Sequence, residues 1–126
     1  MTIARSQVVL LGSSEASGTT TANGATSTSS ETDLLGDATS QGVINVYLKF
    51  TAAAPQGNVK LTLSQSRVSS SPYPVRTYNF NGALSGVLIF VDRIPWGRFI
   101  TAAVQNELQS GGLTGVFVAV ELEKTT

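Results

Sequence analysis

The side chains able to do chemistry in this chain are few, and two types are missing. It has no histidine and no cysteine. Residue type alone therefore rules out a histidine-based triad, a disulfide and a zinc ribbon. A Ser–Lys pair remains as a nucleophile and base. Lys49, Lys60 and Lys124 have no motif partner that would make one. Glu121 and Glu123 could act as a carboxylate pair on a glycoside. They stand on the outer face of an alternating segment, where a solvated strand surface explains them better. Glu31, Asp33 and Asp37 could lend oxygens to a calcium ion, but their spacing fits no loop signature and reads as turn chemistry. Residues 12–20, after the apolar patch 8–11, imitate a strand followed by a phosphate loop. Five residues separate Gly12 from Gly18 and no lysine follows. A Walker-type loop needs a shorter gap and a lysine to reach the phosphates. The expectation is a non-enzymatic chain with no cofactor and no metal.

One constellation suits contact better than catalysis. Trp96, the single tryptophan, sits in a Pro-Trp-Gly turn between Arg93 and Arg98. An aromatic ring beside arginines at a loop tip is the composition of a protein-contact hot spot. The same ring could stack on a sugar, with Tyr73 beside it if the fold brings their loops together. It could also simply cap the end of a core.

The elements that must position these residues are strands. In residues 43–51, Ile44, Val46, Leu48 and Phe50 alternate with Asn45, Tyr47, Lys49 and Thr51. That is the period of a half-buried strand. Val59, Leu61 and Leu63 repeat it after Pro55 and Gly57, and the short connection reads as antiparallel pairing of neighbours. Residues 68–74 form a Ser/Pro loop. Segments 75–80 and 83–91 flank Asn81-Gly82, a strong hairpin signal. Residues 87–91 are apolar on both faces, as for a strand buried between layers or beneath a partner. Residues 98–107 alternate again, although TAAVQNEL would also suit a helix. In 113–123, Val116, Val118, Val120 and Leu122 form one face, and Phe117, Ala119, Glu121 and Glu123 the other.

The remainder is less regular. Residues 13–40 hold 14 Ser or Thr among 28. They read either as a tract too polar to order itself or as an edge strand at 25–35. Residues 1–12 read as an extended strand or arm, 13–42 as the Ser/Thr-rich segment, and 43–126 as the core of one domain. Seven or eight short strands with regular turn signals predict an all-β, antiparallel β-sandwich, with jelly-roll topology as one form of it.

Charge narrows the partners. Eight basic and eight acidic residues cancel, and charged residues make up 13% of the chain, about half the usual ~25%. The basic residues are scattered, which argues against nucleic acid. The longest apolar run, 87–91, is far short of a membrane span, and the N-terminus lacks the apolar core of a signal peptide. A surface this poor in charge is either made mostly of Ser, Thr, Asn, Gln and Gly or covered in part by partner subunits.

The segment RFITAAVQNELQSGGLTGVFVAVELEK, residues 98–124, resembles the last hairpin of small virion proteins from tailed bacteriophages. The shared features are an Arg-aromatic strand start, an Ala/Val strand ending in Val-x-Asn, a Gly turn, then Leu-Thr-Gly and an alternating Val strand. The strand at 43–50, after a Ser/Thr-rich segment, fits the same style. The resemblance implies a virion structural protein, such as a capsid decoration or cement protein or a minor head or tail component. It implies capsid or other virion proteins as partners, and a homo-oligomer or a symmetric shell. It assigns no functional residue. The contact regions expected from the residues themselves are the N-terminal arm (Ile3, Val8, Leu10) and the turn with Arg93, Trp96 and Arg98. The alternative is a glycan-binding or adhesion module using Tyr73 and Trp96.

Overall fold

The computed structural model describes residues 3–15, 17–34, 42–66 and 75–125, and the side chains of 7–15, 17–34, 42–66 and 75–123 among them. Ten strands follow one another: β1 (Ile3–Leu11), β2 (Thr19–Thr21), β3 (Thr26–Thr28), β4 (Thr32–Asp33), β5 (Val43–Ala52), β6 (Gly57–Ser66), β7 (Val75–Asn81), β8 (Ile89–Pro95), β9 (Phe99–Leu108) and β10 (Leu113–Thr125). They form two five-stranded sheets. The first has the order β1-β10-β5-β8, with β2 also on β10. The second has the order β3-β9-β6-β7, with β4 also on β9. Every pairing is antiparallel.

Read as interrupted strands, β1 with β2 and β3 with β4 each fill one place beside a common neighbour. The chain then crosses between sheets at each later connection except β6 to β7. Two four-place sheets wound in this way are a jelly roll, two Greek keys closed face to face.

The core lies where the alternation put it. Ile44, Val46, Leu48 and Phe50 of β5, Val59, Leu61 and Leu63 of β6, Ile100 and Val104 of β9, and Val116, Val118 and Val120 of β10 are all inaccessible. Each such side chain contributes about 1.5–3 kcal/mol by leaving water. Leu10, Leu11 and Leu34 join the same cluster, so the core reaches back beyond residue 43 into the first strand and the Ser/Thr-rich stretch.

Four sequence expectations need correction. The strands at 43–51 and 59–64 are not paired neighbours, because β5 lies in the first sheet and β6 in the second. Asn81-Gly82 is not a hairpin turn. Asn81 is extended, and its Oδ1 accepts from the Ala83 N–H at 2.8 Å to cap a short 3-10 turn, Gly82–Leu84. Glycine stands at 82 for space, since a Cβ there would lie 2.7 Å from the Pro55 carbonyl oxygen and from Leu108 Cδ2. The strand expected at 83–91 therefore starts only at Ile89, and Val87 and Leu88 are exposed rather than buried between layers. Finally, β9 and β10 belong to different sheets, so residues 98–124 are a crossover and not a hairpin. The helix suited to TAAVQNEL does not form. Tertiary register overrides propensity, with Ala102 and Val104 sealed in the core. The Ser/Thr-rich edge strand is split, β3 and β4 being separated at Ser29, whose Oγ accepts from the Ala102 N–H at 2.9 Å.

Candidate functional site

The residues expected at contacts fall into two groups. In the first strand, Ile3 pairs with Thr125, and its side chain lies outside the described residues. Val8 packs partly buried against the core, and Leu10 lies within it. The strand is held along its length by β10, from Ile3–Thr125 to Leu11–Val118.

Arg93 stands near the end of β8, and Trp96 and Arg98 in the turn between β8 and β9. Gln65, itself buried, fixes that turn. Its Nε2 donates to the Pro95 carbonyl at 3.0 Å, and its Oε1 accepts from Arg76 Nη1 at 2.7 Å. Trp96 packs against the core, its backbone N–H donates to the Gly42 carbonyl, and its indole Nε1 is buried without a hydrogen-bond partner. The ring thus serves as the cap on this end of the core. Both guanidinium groups are engaged within the chain. Arg98 forms a two-bond fork with Asp33, both at 3.0 Å, and lies 5.0 Å from the Phe99 ring centre. The bond to Asp33, then its charge, holds the Arg98 pKa above its ordinary value. Arg93 reaches Glu123 at 3.3 Å, and Asn45 donates to the other oxygen of Glu123 at 3.1 Å. Tyr73 and Asp37 lie outside the described residues. Among the described residues no acidic cluster could hold a metal ion.

A further apolar surface lies on the outer face of the first sheet, at the 87–91 run expected to lie between layers or beneath a partner. Register places Val9 of β1, Ala119 of β10, Tyr47 of β5 and Phe90 of β8 in one row across four strands. Tyr47 and Phe90 meet edge to face, with ring centres 5.7 Å apart. A sheet face turned to water should alternate to polar residues here. Beside this row, Phe117 is only 2% exposed although it belongs to the outer face. The loop between β1 and β2 closes beside it: Glu15 pairs with Lys49, the register partner of Phe117, at 3.6 Å. That loop stops short of Phe90, which is 55% exposed. Leu84, Val87 and Leu88, in the β7–β8 connection, are exposed as well. That connection is tied down by Gly86 N–H on the Phe50 carbonyl and by the Ala52 N–H on Ser85 Oγ. Four of the five large exposed apolar side chains of the described residues thus fall between positions 84 and 90. The two-faced apolar run at 87–91 was the available signal.

The apolar row is bordered on the same face by Lys49 of β5 and Glu121 of β10, and it brings no nucleophile or ligand set together.

No protein-family model and no curated protein sequence matches the chain. Among solved structures it is similar to a chain in the structure of infectious bursal disease virus, Gx strain, with a TM-score of 0.56 and 15% identity. The match covers 97% of this chain and 32% of the viral one, so the chain spans about a third of that neighbour's length. At this identity the likeness is one of fold: an antiparallel β-sandwich.

Proposed function

We propose that the chain is a non-enzymatic virion structural protein, capsid-associated, acting through protein–protein contacts. The observation that carries this reading is the exposed apolar strip from Leu84 to Phe90, backed by the Val9–Ala119–Tyr47–Phe90 row on a sheet face that would otherwise be polar. Three further features support it. The jelly roll is a fold of viral shells, although folds alone do not assign function. The similar solved chain comes from a virus particle. Net charge is zero, which suits surfaces that end up covered. Decoration or cement protein, or minor head or tail component, are the roles this chemistry fits. A tailed-phage origin rests on the resemblance of residues 98–124. No helix among the described residues is long and apolar enough to cross a membrane.

The test is incorporation. Particles are assembled with wild-type chain or with the Val87→Ser/Phe90→Ser variant, then separated from free protein on a gradient. Both side chains are more than half exposed, so the variant should fold normally. Wild-type chain should travel with the particles and the variant should remain free. Equal incorporation of both would remove the strip from the account.

A further inference from the structure

The four edges of this sandwich are not alike. β1 closes the first sheet on one side and carries a register shift between Val9 and Leu11. β8 closes the other side, with Val91 left out of register, Arg93 exposed and Pro95 at its end. In the second sheet, the edge beside β9 is broken into β3 and β4, three and two residues long. Bulges, charges, prolines and short strands are the devices that stop sheets from pairing edge to edge.

β7 has no bulge, no proline and no break. It pairs with β6 in unbroken register over seven residues, from Ser64–Val75 to Asn58–Asn81. It contains no proline, and its single charge, Arg76, is hydrogen-bonded to Gln65. Its outer residues Val75, Thr77, Asn79 and Asn81 are exposed and uncharged. Among the described strands β6 is its one partner.

We infer that β7 is a homotypic pairing edge. Two copies of the chain join β7 to β7, antiparallel about a two-fold axis, and the second sheet runs on through both. Register and charge favour a second copy as the occupant. Pairing centred on Tyr78 sets Thr77 against Asn79 and Val75 against Asn81 of the second copy on the outer face. On the inner face it sets Arg76 against Phe80. Opposed Thr and Asn side chains can hydrogen-bond across the pair, and no like charges meet. A register centred on Arg76 would bring the two guanidinium groups face to face. In this register the edge is complementary to itself, as a two-fold contact requires. With no net charge, two copies approach without repulsion. The inference stands apart from the viral role, since such a dimer forms with or without a particle.

The experiment measures mass by sedimentation over a wide concentration range for three proteins. Wild type should pass from monomer to dimer. Thr77→Glu/Asn79→Glu puts like charges opposite each other twice, and should weaken the dimer by about 10-fold or more. Thr77→Lys/Asn79→Glu puts opposite charges in the same places and should restore it. Both variants place the glutamate at 79 across from Lys60, so the fold itself is not set against the change. Thermal unfolding of each confirms a folded monomer. A wild type that stays monomeric at every concentration overturns the inference. So does a doubly acidic variant that dimerises as well as wild type, or a charge-swapped variant that fails to recover.

Discussion

Replacing Asn106 by alanine should destabilise the fold far more than a polar residue usually does. Asn106 is 1% exposed and lies near the end of β9. Its Nδ2 donates to the Thr21 carbonyl at 3.2 Å and to the Gly111 carbonyl at 3.0 Å. Its Oδ1 accepts from the Leu108 N–H at 3.0 Å. One side chain therefore ties β2, the β9–β10 turn and the end of β9 together. Asn23 supports the same turn by donating to the Leu108 and Gly111 carbonyls, so the Gly111 oxygen keeps a partner in the variant. The Leu108 N–H loses its partner and the Thr21 oxygen loses one bond, in a place closed to water. A stranded buried group costs about 1–3 kcal/mol and a lost hydrogen bond about 1 kcal/mol. Together they give a loss of about 3 kcal/mol, or roughly 9–15 °C in Tm for a chain of this size. Thermal unfolding followed by circular dichroism reads this directly. The Asn106→Asp variant sharpens the test. It keeps an acceptor for Leu108 but turns a carboxylate toward two carbonyl oxygens. Burial and those oxygens raise its folded pKa, so the stability of the protonated form is lost as pH rises through that value. The aspartate variant should therefore approach wild type as pH falls and diverge from it at neutral pH. A drop below about 3 °C for the alanine variant would refute the reasoning, because at roughly 3–5 °C per kcal/mol the network would then be worth less than one ordinary hydrogen bond.

Two other predictions concern the fold. Tyr78 donates to Asp92 Oδ2 at 2.7 Å and links the two edge strands β7 and β8. Burial first, then that bond and the Asp92 charge, push its pKa up to about 12. A raised folded pKa means its stabilisation is complete below the ordinary value of 10.0 and lost as pH rises through about 12. Wild type should lose stability across that window faster than Tyr78→Phe in denaturant titrations, and parallel curves would contradict this. Gly18→Ala should unfold the protein or cost about 3 kcal/mol or more, because a Cβ there would lie 2.2 Å from the Gly115 carbonyl carbon of β10 and backbone cannot rotate away. A soluble, wild-type-like melting curve for that variant would show that the β1–β2 loop is not seated against β10.

What could be read from the residues, and what could not, follows from what alternation records. Ile44, Val46, Leu48 and Phe50 announce one buried face because side chains in a strand alternate, and the structure buries all four. The same pattern says nothing about which strand lies alongside. Pro55 and Gly57 look like a hairpin turn, yet the chain uses them to leave one sheet for the other. Asn81-Gly82 carries the hairpin composition, but packing against Pro55 and Leu108 settles the backbone there. Trp96 and its arginines have the composition of a contact site. Their partners, Asp33 and Glu123, are remote in sequence and only the fold brings them near. The apolar row on the outer sheet face is assembled from four strands, one residue from each. Its one local sign is the two-faced apolar run at 87–91, which contains Phe90. That β7 has a single strand partner among the described strands is likewise a property of sheet order, and its seven residues look ordinary in the sequence.

The most direct test of the proposed virion role is the amount of this chain in gradient-purified virus particles released by cells that carry its gene, measured by quantitative mass spectrometry against a major shell protein. The account predicts a fixed ratio that survives repeated purification and salt, because the contact is apolar. Absence of the chain from purified particles, or an amount that washes away, would contradict it.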